Sequence, residues 1–415
     1  MNNINLDTVK TLFKNITKYK VLVAGSIVQI LVLTPLNILI GRFVGPTDYG
    51  EYTFMISVST ILSVFLTFGQ QSALINYLSP LSDDERENII SSHLVLLLLI
   101  TIITIGTFLI YSNIHDYSML KSVLIILHAI MLAMIAINQS VYQSLLRFKM
   151  IGLFKFLFPL AFSFGIISFF ILNERRSANI IILIRSFSIL VSIIFFLSVW
   201  IRKYFRFINI SFNTIKQLLK YGLHGLFITV VATIVLQSDK LFIDKFLNRT
   251  ILGYYQAYFQ ATISFFQFFA MLSAIVFFPI YKRKTYFDRA ALIKKITMYS
   301  PMLMVLGILF TPISLIIVSL YGPEYFLSWK ILLGMNIAGV TLVLHSLFSR
   351  AVLSNDIKGA RAATINTIVS ALVFFLIIFL SISHIKVYGV ILAIFAYNTV
   401  GVLINYIAIR KLNHR

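Results

Sequence analysis

Polar residues recur at helical spacing inside the long apolar stretches of this 415-residue chain. The clearest set is Thr229, Thr233, Gln237 and Lys240. Their spacing of i, i+4, i+8 and i+11 keeps them within about 80° of one another on a helix. Such a stripe can line a hydrated cavity or supply hydrogen bonds between helices. Lys240 adds a cation that can pair with a carboxylate or bind a phosphate, so the stripe predicts a polar face with anion-binding capacity.

Two further sets extend this pattern. Ser26 and Asn37 have the same i, i+11 spacing and lie 203 residues before Thr229 and Lys240. Gln256 and Gln260 share one face of the apolar stretch that follows Lys240. For a single Gln or Thr, interhelical hydrogen bonding is the simpler interpretation. The paired stripes, in contrast, favour cavity lining, because a cavity shared between two repeats requires polar groups at equivalent positions.

Ionisable residues inside apolar stretches are costly in a membrane, and we treat them as functional hypotheses. Three cations near helix ends are candidates for binding an anion, although snorkelling to water also explains each of them: Arg185, Lys155 and Arg350. Three titratable groups are candidates for ion coupling, although a buried His can equally be a hydrogen-bond partner: Asp239, His128 and His345.

The composition places most of the chain in a membrane. Hydrophobic residues make up 59% of it and charged residues only 12%. Twelve spans of about 21 residues would occupy about 60% of the chain, which leaves no stretch of the size of a soluble catalytic domain. The apolar runs predict twelve spans, near 21–41, 52–78, 91–111, 119–145, 151–172, 178–200, 222–244, 253–280, 296–320, 329–349, 362–382 and 387–409.

The distribution of basic residues predicts the orientation. With a cytoplasmic N-terminus, the cytoplasmic segments hold roughly three times as many Lys and Arg as the outer loops. Both termini are therefore expected in the cytoplasm, and topology explains the net charge of +21 without nucleic-acid binding. The chain has no Cys, which excludes disulfides and thiolate metal sites, and we expect no cofactor or metal.

An internal repeat divides the chain. Segment 40–52 (IGRFVGPTDYGEY) aligns with segment 243–255 (IDKFLNRTILGYY) at a constant offset of 203 residues. Both segments connect the first span of a six-span half to its second. We therefore predict two six-helix halves, 1–209 and 210–415, and internal repeats of this kind are common in transporters.

Three segments of the chain closely resemble bacterial polysaccharide flippases of the Wzx type: GRFVGPTDYGEY, DKLFIDKFLNRTILGYYQAY and LYGPEYFLSWKILL. The resemblance covers nearly the whole chain in span number and order. It implies an all-α polytopic membrane protein, with twelve transmembrane helices in two pseudo-symmetric six-helix bundles around a central cavity. Such flippases, members of the multidrug/oligosaccharidyl-lipid/polysaccharide exporter superfamily, move undecaprenyl-diphosphate-linked oligosaccharide repeat units from the cytoplasmic to the periplasmic leaflet. Alternating access with ion-gradient coupling is the expected mechanism.

The resemblance also implies partners and leaves two alternatives. The partners would be the lipid-linked oligosaccharide of O-antigen or similar polysaccharide, the inner-membrane bilayer and, by analogy, a polysaccharide polymerase and a chain-length regulator. A drug or cation exporter of the same superfamily is the first alternative, but its cavity should favour carboxylates. A polytopic polymerase or ligase is the second, but it should carry a large outer loop. The sequence has no phosphate-binding G-x-x-x-x-G-K-[ST] motif, so we do not expect ATP-driven pumping by this chain. It has no apparent nucleophilic triad, and we expect a transporter rather than an enzyme.

Overall fold

The computed structural model describes residues 6–78, 81, 83–172, 177–204, 210–270, 289–353 and 356–413. All regular secondary structure in these ranges is helical. The helices are α1 (Leu6–Thr67), α2 (Gln70–Leu78), α3 (Asp83–Ile114), α4 (Met119–Ser144), α5 (Phe148–Leu172), α6 (Ala178–Tyr204), α7 (Phe212–Phe246), α8 (Arg249–Ala261), α9 (Arg289–Leu309), α10 (Thr311–Ser319), α11 (Trp329–Leu353), α12 (Asp356–Ile385) and α13 (Val387–Asn413). After Thr262 the chain is helical again over 263–270.

Helix α1 contains the first predicted span and most of the second. It runs for 62 residues and bends at Gly45, whose φ of 77° and ψ of 169° are not helical. A positive φ is accessible to glycine because it has no Cβ. At 1.5 Å per residue, each arm is long enough for a separate membrane crossing.

The helices confirm the prediction of an all-α polytopic membrane protein. Eight helical segments in the described part of the chain are long and apolar enough to cross a membrane, and the apolar part of α6, Ala178–Ile194, is shorter. Each predicted span coincides with a helix or with consecutive helical pieces. Of the predicted span 253–280, residues 271–280 lie outside the described residues.

Packing divides the chain into two compact units. The first unit comprises Met1–Val44 and Tyr52–Gln237, and the second comprises Gly45–Glu51 and Ser238–Arg415. The short segment after the bend in α1 therefore packs within the second unit, and α7 contributes to both. The division of the sequence into halves at 209/210 concerns the repeat rather than packing, and it stays a prediction.

Each unit has its own apolar core. In the first unit, Ala73, Leu96 and Ile100 pack against Leu218 at the start of α7. In the second unit, a core that includes Phe348 joins α11 to α13 and to the helical turn at 263–270; its buried members are Phe266, Val340, Leu344, Phe348, Ala351, Val352 and Ile409. These cores fix the rotation of the helices about their axes, and the rotation decides which polar side chains meet.

Candidate functional site

A buried ion pair lies near the C-terminal end of α7 in the second unit. The Lys240 Nζ is 3.0 Å from Oδ1 and 3.1 Å from Oδ2 of Asp239. The Tyr255 hydroxyl donates a hydrogen bond of 2.5 Å to Asp239 Oδ2, and the Lys240 Nζ lies 4.3 Å from the centre of the Phe259 ring. Asp239 and Lys240 are only 2% and 6% exposed. The carboxylate thus accepts hydrogen bonds from two donors, and the ammonium lies between that carboxylate and the face of an aromatic ring.

A short connection returns the chain from α7 to α8 and brings Tyr255 back beside Asp239. The Asn248 side chain accepts a hydrogen bond from the Ile251 N–H and caps the start of α8. Arg249 forms ion pairs with Asp244 of α7 at 2.5 Å and with Glu51 at 3.1 Å. These contacts tie α8 to the end of α7 and to the segment Gly45–Glu51.

Burial raises the free-energy cost of an unpaired charge in this cluster. A charge removed from water is tolerated when it is paired and hydrogen-bonded, and removal of one partner leaves the other charge uncompensated. Asp239 and Lys240 neutralise each other, and the Tyr255 phenol satisfies a further acceptor position of the carboxylate. The predicted roles of Lys240 in anion binding and of Asp239 in ion coupling thus fall on one buried pair.

A second cation, Arg185 of α6, lies in the first unit. Its Nη1 donates a hydrogen bond of 2.7 Å to the Tyr52 hydroxyl, and its guanidinium carbon lies 5.9 Å and 5.5 Å from the ring centres of Phe158 and Phe162. The buried Nε has no hydrogen-bond partner among the described residues. Arg185 thus sits against aromatic faces with donor capacity remaining.

His128 of α4 lies beside this cation, next to Ser186. The Ser186 hydroxyl donates to the carbonyl of Ile182, so its oxygen accepts the hydrogen bond of 3.0 Å from His128 Nδ1. His128 is fully buried, and its Nε2 finds no partner in the part of the chain that the structure describes. An unpartnered acceptor of this kind is available to a proton or to a hydroxyl of a ligand.

Lys155 and Ser26 meet where α5 crosses α1. The Lys155 Nζ donates a hydrogen bond of 3.0 Å to the Ser26 hydroxyl oxygen, and that hydroxyl donates to the Leu22 carbonyl. The helices approach closely because Gly25 and Gly152 face each other, and a Cβ on either would clash with the backbone of the other helix. Ser26 is therefore buried beneath Lys155 in this structure.

His345 of α11 has hydrogen bonds at both ring nitrogens. Its Nδ1 is 3.3 Å from the Asn398 side-chain oxygen, and its Nε2 is 3.2 Å from the Asn366 side-chain nitrogen. The Asn366 oxygen in turn accepts a hydrogen bond from Ser370. A neutral imidazole satisfies this arrangement completely, which favours a structural hydrogen-bonding role for His345 over ion coupling.

The other residues singled out in the sequence lie on the helices predicted for them and are half-buried: Asn37, Thr229, Thr233, Gln237, Gln256, Gln260 and Arg350. The buried side-chain oxygen of Gln256 has no hydrogen-bond partner within the described ranges. Among the residues that the structure describes, no group of three His, Cys, Asp or Glu is arranged to hold a metal ion.

The sequence analysis missed two tyrosines that contact these charges. Tyr52 binds Arg185, and Tyr255 binds Asp239. The signal was present in the repeat, since these two tyrosines align at the offset of 203 residues. Equivalent phenols thus contact a cation in one unit and an acid in the other.

Glycines of the two repeat segments allow a reciprocal backbone contact in the second unit. A Cβ on Gly50 would clash with the carbonyl oxygen of Arg249, and a Cβ on Gly253 would clash with that of Pro46. Gly50 is equivalent to Gly253, and Pro46 to Arg249, so each repeat makes the same contact with the other. This reciprocity is the behaviour of a pseudo-two-fold interface.

The sequence matches a family model, and the structure is similar to several solved structures. Residues 14–285 match the model described as a polysaccharide biosynthesis protein. No curated protein sequence matches the chain significantly. The structure is similar to that of the lipid II flippase MurJ in an inward closed conformation, with a TM-score of 0.72 and 15% identity over 93% of this chain and 86% of that chain.

Multidrug resistance MATE family transporters of the MOP superfamily have the same fold. An inward-facing conformation gives a TM-score of 0.62 with 16% identity over 93% of this chain and 95% of that chain. An outward-facing conformation gives a TM-score of 0.60 with 14% identity over 96% of both chains. At these identities the likeness establishes the fold alone.

Proposed function

Because this chain belongs to the family of polysaccharide biosynthesis proteins, we propose that it is a flippase for a lipid-linked oligosaccharide. The cargo is the undecaprenyl-diphosphate-linked repeat unit of an O-antigen of lipopolysaccharide or of a similar surface polysaccharide. The protein moves it from the cytoplasmic to the periplasmic leaflet of the bacterial inner membrane. It acts as a transporter, with no covalent chemistry on the substrate.

The observation that carries this proposal is the half-buried cation Arg185 with unused donor capacity. A diphosphate crossing hydrocarbon needs cationic hydrogen-bond donors, while its lipid tail can stay in the bilayer. Arg185 provides a guanidinium held by Tyr52 and by aromatic rings, with Nε unpartnered among the described residues. Lys240, Lys155 and the half-buried Arg350 are proposed as further phosphate contacts.

Polar side chains are proposed to contact the sugars. The half-buried stripe Thr229, Thr233 and Gln237 and the half-buried Asn37 fit this role, because amide and hydroxyl groups hydrogen-bond to sugar hydroxyls. Gln256 and Gln260 lie on α8 next to the tyrosine of the ion-pair cluster and would extend the same polar surface. Ser26 would contact substrate only in a conformation in which Lys155 has moved away from it.

We propose alternating access between the halves 1–209 and 210–415 around a central cavity. The reciprocal contact of the repeat segments supports an origin of the halves by duplication, which is common in such transporters. An ion gradient would drive transport, with Asp239 and His128 as the stronger coupling candidates because each can accept a proton. The termini would be cytoplasmic, and a polymerase and a chain-length regulator would act on the delivered repeat unit.

Transport in proteoliposomes that contain only this protein tests the proposal. A fluorescent undecaprenyl-diphosphate oligosaccharide should change leaflet without nucleotide, and faster when a proton or sodium gradient is imposed. The fold shared with MATE family transporters makes drug export the alternative. Gradient-driven uptake of a cationic dye, together with no movement of several lipid-linked glycans, would replace the flippase proposal with drug export.

A further inference from the structure

We propose that the Asp239 carboxylate competes with the anionic headgroup of the substrate for Lys240. The carboxylate pairs with Lys240 until a phosphate displaces it. This inference rests on the proposed function, because it needs Lys240 to be a phosphate contact. It adds a regulatory role for a carboxylate that would otherwise be read as a coupling group or as a structural counter-ion.

The geometry of the pair is unusual for a helix. Neighbouring residues i and i+1 on a helix do not face each other, so a contact between Asp239 and Lys240 is not a routine surface pairing. Here both carboxylate oxygens are within 3.1 Å of the Lys240 Nζ. Helix α8 supplies the remaining contacts, with the Phe259 ring against the ammonium and the Tyr255 phenol against the carboxylate.

The chemistry of the two groups permits an exchange of partners. A lysine ammonium is a compact charge with three rotatable donors, and a phosphate oxygen accepts the same kind of charge-assisted hydrogen bond as a carboxylate. When the phosphate arrives, Asp239 retains the hydrogen bond from Tyr255. That second donor lowers the cost of the displaced carboxylate, which would otherwise be a buried charge without any hydrogen-bond donor.

A cation in the first unit offers a contrast. Tyr52, the repeat equivalent of Tyr255, contacts the cation Arg185, whose polar contacts within the described ranges include no carboxylate. Arg185 can therefore hold an anion without displacing anything. At Lys240 an anion must displace Asp239, which weakens its binding, and a transporter that must release its cargo benefits from such weakening.

Binding of inorganic pyrophosphate to the purified full-length protein tests this, measured by titration calorimetry. Asp239→Asn keeps the size of the side chain and removes the competing charge, so it should tighten pyrophosphate binding about tenfold or more, because a like charge next to a bound anion is strongly unfavourable. Tyr255→Phe should do the opposite, because the carboxylate then depends on Lys240 alone. The double variant should bind like Asp239→Asn, since no carboxylate remains for Tyr255 to hold.

Opposite signs for the two single variants distinguish competition from a structural role, which would weaken binding in both. Unchanged or weaker binding by Asp239→Asn would overturn the inference, as would tighter binding by Tyr255→Phe. If Asp239→Asn does not fold, Asp239→Ser also removes the carboxylate and takes its place, and it should likewise tighten pyrophosphate binding. Transport of the lipid-linked oligosaccharide by the unaltered protein is a separate readout, so the flippase proposal can stand when the competition fails.

Discussion

The hydroxyl oxygens of Thr47 and Thr250 lie 2.8 Å apart and form a hydrogen bond between residues that are 203 positions apart in the chain. That separation equals the offset of the internal repeat, so the bond joins one residue to its own equivalent. It lies between the reciprocal glycine contacts of the same segments. A residue that contacts its own equivalent marks the position of a local two-fold axis.

A disulfide at this axis should lock the protein. The chain has no native Cys, so Thr47→Cys with Thr250→Cys introduces the only thiols. We expect oxidation to cross-link them and to stop transport, because the cross-link ties α1 to the start of α8 and the proposed alternating access moves the two sequence halves against each other. Transport by the oxidised protein in proteoliposomes measures this, and a reductant should restore it. The single-Cys variants are the controls, and full transport by the cross-linked protein would contradict the prediction.

The reciprocal glycines should not tolerate a methyl group. Gly50→Ala and Gly253→Ala each place a Cβ against a backbone carbonyl oxygen. The clash cannot be relieved by the movement of a side chain, because the opposing atom belongs to the backbone. We expect each to lower the unfolding free energy by about 1–3 kcal/mol, the usual cost of overpacking. Thermal unfolding in detergent measures the change.

Gly106→Ala is the matched control for the glycine variants. A Cβ at Gly106 in α3 meets nothing within 4 Å. Alanine is the better helix former, so this variant should be as stable as the unaltered protein or slightly more stable. Equal effects at Gly50, Gly253 and Gly106 would show that the close backbone contact does not exist in solution.

Transport should require the planar guanidinium group of Arg185 as well as its positive charge. Arg185→Lys keeps the charge but loses the donors that reach Tyr52 and the unpartnered position, so we expect transport to fall about tenfold. Tyr52→Phe should cause a smaller loss, since it removes one hydrogen bond and leaves the guanidinium. Initial rates in proteoliposomes give both values. The exposed Arg42, changed to Lys, is the control, and equal rates for Arg185→Lys and Arg42→Lys would remove Arg185 from the site.

Lys240 should be required for transport even in a variant that leaves no unpaired buried charge. Lys240→Met alone leaves Asp239 without its cation, so a loss of about 3–5 kcal/mol of stability would obscure the result. Lys240→Met combined with Asp239→Asn removes both charges. We expect this double variant to accumulate in the membrane at normal levels and to display no surface polysaccharide, measured by immunoblot and polysaccharide staining. The exposed Lys330, changed to Met, is the control, and normal polysaccharide from the double variant would exclude Lys240.

The charges within the apolar helices show how far sequence-based prediction reached. Asp239, Lys240 and Arg185 stand out because ionisable residues are rare inside apolar stretches. Their partners did not stand out, because Tyr52 and Tyr255 are amphipathic residues that suit many membrane positions. His345 was a coupling candidate by residue type, and only the amides on α12 and α13 revealed that both of its nitrogens are engaged.

The sequence by itself determined the class of protein, the number and order of the apolar helices and the repeat. The physical reason is that a chain in hydrocarbon must satisfy its backbone polar groups internally, so apolar runs of sufficient length become helices. Only the tertiary structure decided that Gly45–Glu51 packs in the second unit, that Lys240 pairs with its own neighbour and that equivalent tyrosines contact opposite charges. Those contacts depend on the rotation of each helix about its axis and on the close approach of helices at particular glycines. The helical periodicity of a single segment gives no information about either.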